Sequence, residues 1–314
     1  MTGRLGAWAV PRQAVLLSVV ATVVFVPAIV IAYLAGGTQG ALALGMGVLA
    51  SLRPALSLRP LHSFALAVPA AMAGGVAVAL RGQPLAAAFF VVLCCLLVAP
   101  AGILQDGLLA MVPTVVAVLV LVPGEFQPGR TAIWMLFGGA LVVAVATRLP
   151  RTPPAAGVEQ RRAWLHAAVM AVSVGAVVYL VGVWEIPHGY WVALTLTAVL
   201  RPFDDQTMRK SVQRVLGTIA GALVALVAAV FLPLWALLVL LVVSTVLSSA
   251  YAIAGDYTRQ VLFMTPAVIL LGSAGNPFQI ASERALATLA GALLAAAIAL
   301  ALATFENRRT AAAA

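Results

Sequence analysis

Between Tyr190 and Arg214 the sequence gathers side chains that can handle a small charged molecule. Arg201, Arg209 and Arg214 each carry a planar cationic fork suited to bidentate hydrogen bonds with a carboxylate. Tyr190 and Trp191 offer flat aromatic surface, and Thr195 and Thr197 offer hydroxyls at alternate positions. Pro202 interrupts the backbone, because proline lacks an amide hydrogen and disfavours helix in the residue before it. A helix starting near residue 209 turns the positive end of its dipole towards an anion. Each group also has a plainer reading. The arginines can serve as charges that orient a membrane protein, Tyr190 and Trp191 as an interfacial aromatic belt, and the threonines as partners of nearby backbone. Arg214 departs furthest from the plain reading. It lies deepest, one turn before an apolar run, and a charge at the centre of a span costs about 2.5–3.5 kcal/mol.

Proton exchange needs a group that changes charge, and Asp204 in the basic loop, Asp256 at a cytoplasmic span start and His188 on the outer side are the candidates. No carboxylate falls in the middle of a predicted span, which argues against a buried carboxylate relay and keeps a passive anion pathway open. Pro113 and Pro266 occupy matching places within predicted spans and are expected to kink them, so both join Pro202 as gating candidates. Cys94 and Cys95 are adjacent in an apolar run, which suits neither a disulfide nor a metal or redox motif. With no nucleophile–base pair, metal spacing or glycine-rich phosphate loop, neither an enzyme nor a cofactor is expected.

The elements that must position these groups follow from composition. Of 314 residues, 64% are hydrophobic and 9% charged, against about 25% charged in soluble domains. Such a chain cannot cover itself with a water-compatible surface. A soluble enzyme, a secreted disulfide scaffold and a disordered regulator are excluded. The expected fold is an all-α, polytopic integral membrane protein with the lipid bilayer as its partner. Apolar runs broken by Pro, Gly and charge predict about twelve transmembrane helices, near 13–35, 38–52, 60–80, 84–101, 106–123, 130–148, 164–183, 188–201, 209–232, 234–254, 257–273 and 284–305. The stretches 38–52 and 188–201 are short enough to read as half-helices or strongly bent ones. On this register fifteen of the eighteen basic residues fall on one side, with Arg81, Arg130 and Arg284 on the other. The positive-inside rule then makes both termini cytoplasmic in a cell (inner or plasma) membrane. Topology thereby accounts for the net charge of +9, and no nucleic-acid partner is implied.

The two halves match at an offset of about 150 residues. Leu52-Arg53-Pro54 corresponds to Leu200-Arg201-Pro202, Ala73-Gly74-Gly75 to Ala220-Gly221-Ala222, Pro84-Leu85 to Pro233-Leu234, Met111-Val112-Pro113 to Met264-Thr265-Pro266, and Gly139-Ala140-Leu141 to Gly291-Ala292-Leu293. The expected organisation is a first six-helix repeat over 1–150, a cytoplasmic linker over 151–163 and a second repeat over 164–314. An even number of spans per half makes the repeats parallel, with a shared cavity on the pseudo-two-fold axis. Gly217 and Gly221 form a small-xxx-small pattern that favours close helix packing.

The stretch 187–221 carries a resemblance. Gly189-Tyr190-Trp191, Thr195, Pro202, Thr207, Arg209, Arg214, Gly217-Thr218 and Gly221 resemble the signature of the FUSC (fusaric acid resistance) family, which includes aromatic acid exporters and has the plant aluminium-activated malate transporters as relatives. Many members have Gln before the motif's Pro, where this chain has Arg201. The resemblance implies export of small organic acids driven by the proton gradient. A small organic anion would then be the substrate, met by the three arginines, the Tyr190–Trp191 pair and the threonines. The alternative is an arginine-lined anion channel like the malate channels. The oligomeric state stays open, since the repeat can supply in one chain the two-fold that relatives build from two.

Overall fold

Proline sets where many of the helices begin. The computed structural model describes residues 10–105, 107–149, 156–200, 206–272 and 277–313. Among them it has eleven helices and no strand: α1 (Arg12–Ser57), α2 (Pro60–Ala79), α3 (Pro84–Leu104), α4 (Val112–Leu121), α5 (Pro128–Ala146), α6 (Gln160–Val183), α7 (Tyr190–Val199), α8 (Gln206–Phe231), α9 (Leu234–Ala254), α10 (Tyr257–Gly272) and α11 (Pro277–Ala313). Pro60, Pro84, Pro113 and Pro128 occupy the first turns of α2 to α5, where the missing amide is one the helix could not use. Pro113 therefore opens a helix and kinks none. Pro266, its counterpart in sequence, lies inside α10.

Eight of the helices are long and apolar enough to cross a membrane. α4 and α7 have ten residues each, about 15 Å of helix, half of a hydrocarbon core of about 30 Å. The expected shortness of 188–201 is thus found in α7. The predicted span 106–123 shrinks to α4 in the same way.

The predicted spans 13–35 and 38–52 are the two arms of α1. The break is at Gly37 (φ 63°, ψ −157°), a conformation that essentially only glycine adopts. The chain doubles back there, since the Ala32 carbonyl oxygen lies where a Gly40 side chain would start. Gln39 ties the turn to α5, donating to the Gln127 carbonyl at 2.7 Å and to Thr131 Oγ1 at 2.9 Å. The returning arm packs on α5 through glycine, Gly47 against the Met135 carbonyl and Gly138 against the Leu44 carbonyl.

By packing, the chain divides into two units. One comprises Ala28–Asp204 with Ala297–Ala314, the other Met1–Pro27 with Asp205–Ala296. In the first, α2 packs on α5, α3 on α6, and α4 on α7. The α3–α6 seam is lined by small residues, with Ala99, Ala163 and Ala167 buried together and Gly175 facing Val92. Val115 to Val120 of α4 are all buried, so this short helix has protein rather than lipid around it. Arg81, in the turn after α2, donates to the carbonyls of Leu119 and Gly124, both at 2.8 Å, and lies 4.1 Å over the Phe126 ring. Burial lowers its pKa from 12.5 to about 10, so it is charged at neutral pH.

In the second unit, α10 packs against both α8 and α9. Ala222 and Ala225 of α8 cluster with Ile269 of α10 and Ala281 of α11. The boundaries at Pro27 and Asp204 differ from those expected from the sequence offset, because α6 packs on α3 and α7 on α4. One placement needs correction. The sequence register puts Arg284 in an outer loop, but α11 begins at Pro277 and buries Arg284 to 1% exposure. The apolar run starts after this residue, so hydropathy alone opens the span too late.

Candidate functional site

Helix α8 is amphipathic with its polar side inward. Met208, Val212, Leu216 and Ile219 are exposed, and Thr207, Ser211, Arg214 and Thr218 are buried. The exposed apolar stripe of Met208, Val212 and Ile219 suits lipid. The three- and four-residue spacing of the buried set puts all four side chains on one face. Further along that face the residues become small: Gly221, Ala222, Ala225 and Ala228. Gly217 and Gly221 meet α10 closely, as the small-xxx-small pattern predicts. A methyl group at Gly217 would stand 3.0 Å from Val261 Cβ, and one at Gly221 2.8 Å from Thr265 Cβ.

Arg214 is 3% exposed. Its Nε has no hydrogen-bond partner, and neither do Ser211 Oγ one turn before it or Thr218 Oγ1 one turn after it. A buried donor without an acceptor costs roughly 1–3 kcal/mol, more when charged. Three such groups on adjacent turns make a place for an anion that brings its own oxygen acceptors.

A second feature lies in the same unit. The first turns of α8 and the α9–α10 turn border an open cleft of about 760 Å³. The turn is written in the residues Gly255-Asp256. Gly255 takes the left-handed conformation (φ 77°) that ends α9, and the Asp256 amide donates to the Tyr251 carbonyl at 2.9 Å. Asp256 then starts α10, with Oδ1 accepting the Arg259 amide at 3.1 Å. Its Oδ2 accepts from the Arg259 guanidinium at 2.8 Å. That guanidinium lies 5.6 Å from the centre of the Tyr251 ring, which stacks on Phe263 at 5.6 Å and 6°. Arg209, Lys210 and Gln213 line the cleft from α8. The structure thus brings together Arg209 and Asp256, two of the residues expected from sequence.

The remaining candidates lie elsewhere. Arg201, Pro202 and Asp204 fall outside the described residues. His188, Tyr190, Trp191, Thr195 and Thr197 belong to the other unit. The Tyr190 and Trp191 rings lie 4.7 Å apart, and His188 meets Tyr190 edge-on at 6.0 Å. His188 and Glu185 have positive φ (55° and 46°) in the turn before α7, a conformation uncommon outside glycine. Thr197 donates to the Leu194 carbonyl at 3.0 Å, its plainer reading, whereas Thr195 is buried with its hydroxyl unpartnered. Thr197 and Pro113 border one small cavity of about 20 Å³ beside Cys95 and His166. Among the described residues no group of three His, Cys, Asp or Glu side chains could hold a metal ion.

Sequence reasoning passed over Arg259, Lys210 and Gln213 in the cleft, and Ser211 and Thr218 beside Arg214. The signals were present. Asp256 and Arg259 stand three apart at a helix start, and Ser211 and Thr218 share the register of Arg214.

An all-helical chain with apolar helices of spanning length and buried cationic groups is a multi-pass membrane protein. Residues 172–298 match the family described as fusaric acid resistance protein-like. Over 132 residues the chain is 31% identical to the inner membrane protein YccS of Escherichia coli (strain K12), covering 41% of this chain and 18% of that protein. Through this segment the chain is similar to the fusaric acid resistance protein-like family. The matched part spans under a fifth of the relative's length. No solved structure matches.

Proposed function

We propose that this protein is an inner-membrane transporter that exports small organic acid anions, aromatic ones among them, at the expense of the proton gradient. The observation that carries the reading is Arg214, a cation at 3% exposure whose Nε lacks an acceptor and whose neighbours Ser211 and Thr218 present unpartnered hydroxyls. A carboxylate supplies the charge and the oxygens that this face of α8 lacks. The match of residues 172–298 to the fusaric acid resistance protein-like family and the likeness to an inner membrane protein support it.

The finer architecture belongs to the same proposal: twelve spans in two parallel six-helix repeats, with both termini cytoplasmic. The reversal at Gly37, which makes two arms of α1, supports the count. The packing supports the repeat. α6 packs on α3 and α7 on α4, while Met1–Pro27 groups with Asp205–Ala296, an exchange expected of related halves.

The test is flux. Proteoliposomes holding the full chain should move labelled hydroxybenzoate in response to an imposed pH gradient. Flux that ignores the pH gradient and follows voltage would overturn the coupling and favour the second reading, an arginine-lined anion channel. The channel reading draws on the lack of a mid-span carboxylate in the sequence register.

A further inference from the structure

The reversal of α1 borders another cleft, of about 760 Å³, within the range of about 300–1,000 Å³ usual for small-molecule sites. Its walls are residues 36–39 of the turn and the loop 123–127 that leads into α5, with Arg130 beside them. All of these belong to one packing unit. The walls are held in place. Arg81 grips the loop on both sides of Glu125, through the Gly124 carbonyl and the Phe126 ring. Gln39 and Arg130 tie the turn to the start of α5. Glu125 and Arg130 are exposed, and among the described residues neither takes part in an ion pair. The Arg130 guanidinium spends one nitrogen on a neutral backbone carbonyl, that of Ala35, at 3.2 Å. Gln39 is only 8% exposed. The Gln127 carbonyl it faces can only accept, so the Gln39 amide must present its nitrogen there and to Thr131. Its Oε1 is the end left over, with no donor among the described residues. The cleft therefore offers a carboxylate and an amide oxygen as acceptors and a guanidinium as donor.

We propose that this cleft seats the headgroup of an aminophospholipid, with its phosphate on Arg130 and its ammonium on Glu125 and the Gln39 oxygen. A zwitterion matches charges of both signs that the protein leaves apart, and each contact is a charge-assisted hydrogen bond. The surface beside the cleft suits the rest of the lipid. α1 reaches the cleft and α5 leaves it, and both are apolar on the outside within two turns of it. Ile31 and Leu34 share one exposed face of α1, and Ile133 and Phe137 share one of α5. Acyl chains can lie along these faces while the headgroup sits between the turn and the loop. The ammonium seat makes the site selective. A primary ammonium carries three N–H donors, the quaternary nitrogen of phosphatidylcholine carries none, and phosphatidylglycerol has no cation to offer Glu125. The inference goes beyond the transporter reading and stands whatever the protein carries.

Lipid binding to the full chain in detergent is measured by native mass spectrometry, with phosphatidylethanolamine, phosphatidylcholine and phosphatidylglycerol of matched acyl chains. The wild type should bind phosphatidylethanolamine about tenfold more tightly than either of the others, the worth of one charge-assisted hydrogen bond. Glu125→Gln should erase that preference, and Glu125→Asp, which keeps the charge, should retain most of it. Arg130→Gln should weaken phosphatidylethanolamine about tenfold, with part of the loss recovered in Arg130→Lys. Both side chains are exposed, so the variants should melt with the wild type, and the two charge-keeping variants separate a lost seat from a lost fold. Equal binding of the three lipids by the wild type would overturn the site, as would a preference that survives Glu125→Gln or full binding by Arg130→Gln. Soluble phosphoethanolamine, added at the lipid's concentration, should displace little of it. Full displacement would show that the cleft serves a free zwitterion without need of acyl chains, and would also overturn the proposal.

Discussion

Gly221 of α8 backs directly onto Pro266 of α10, so that a methyl group at Gly221 would stand 3.0 Å from Pro266 Cδ and 2.5 Å from the Leu262 carbonyl oxygen. Pro266 frees a backbone carbonyl one turn earlier in α10, and Leu262 is the residue four before it. The close approach of α8 is thus made where α10 is least regular. Gly221→Ala should force the two helices apart and cost about 1–3 kcal/mol, read as a lowered melting temperature in detergent. Unchanged melting would mean that α10 yields freely at Pro266, which would support its candidacy as a gate.

Gly37 poses the opposite case. Nothing lies within 4 Å of the place a side chain would take, yet the backbone sits at φ 63° and ψ −157°. Gly37→Ala should destabilise the protein by about 1–3 kcal/mol through backbone strain alone. Thermal unfolding checks this, with Gly45→Ala as the control, since Gly45 also has open space around it but lies within helical backbone. Equal melting of the two variants would remove strain as the explanation.

Arg214→Ala should abolish most hydroxybenzoate flux while leaving a folded, monodisperse protein. Removing a buried charge without a protein acceptor relieves a cost, so the variant should melt no lower than the wild type, and could melt higher. Flux equal to that of the wild type would return Arg214 to the class of orienting charges.

Gln39 is buried and bridges the α1 turn to α5 through Gln127 and Thr131. Gln39→Leu removes both hydrogen bonds and leaves the Gln127 carbonyl without this donor, a loss of about 1–3 kcal/mol. Proteolysis at the 35–40 turn should accelerate in step with the loss of stability. Resistance equal to that of the wild type would place the anchoring of the turn with Arg130, which donates to the Ala35 carbonyl at 3.2 Å.

What could be read from the sequence depended on how local its physical cause was. Helix starts were legible because proline acts on its own turn, and the α8–α10 seam was legible because Gly217 and Gly221 lie on one helix face. The burial of Arg284 was not, because it depends on what surrounds α11 and because a hydropathy profile begins a span after its charges. The apolar stripe of α8 faces outward because its solvent is lipid; in water it would turn inward. Arg259 was counted with the orienting charges, and its place on the cleft wall emerges only when α8 and the α9–α10 turn are seen side by side.

The inward polar face of α8 also fixes an order of events during synthesis. Facing lipid alone, the helix would show Thr207, Ser211, Arg214 and Thr218 to hydrocarbon, so it cannot settle until α10 covers that side. The chain between them is short, with α8 ending at Phe231 and α10 beginning at Tyr257. At about 5–20 residues per second the ribosome delivers α10 within seconds. During that interval the half-made protein is a substrate for membrane quality control, and a slow codon run over α9 would be expected to reduce yield more than one placed after α11.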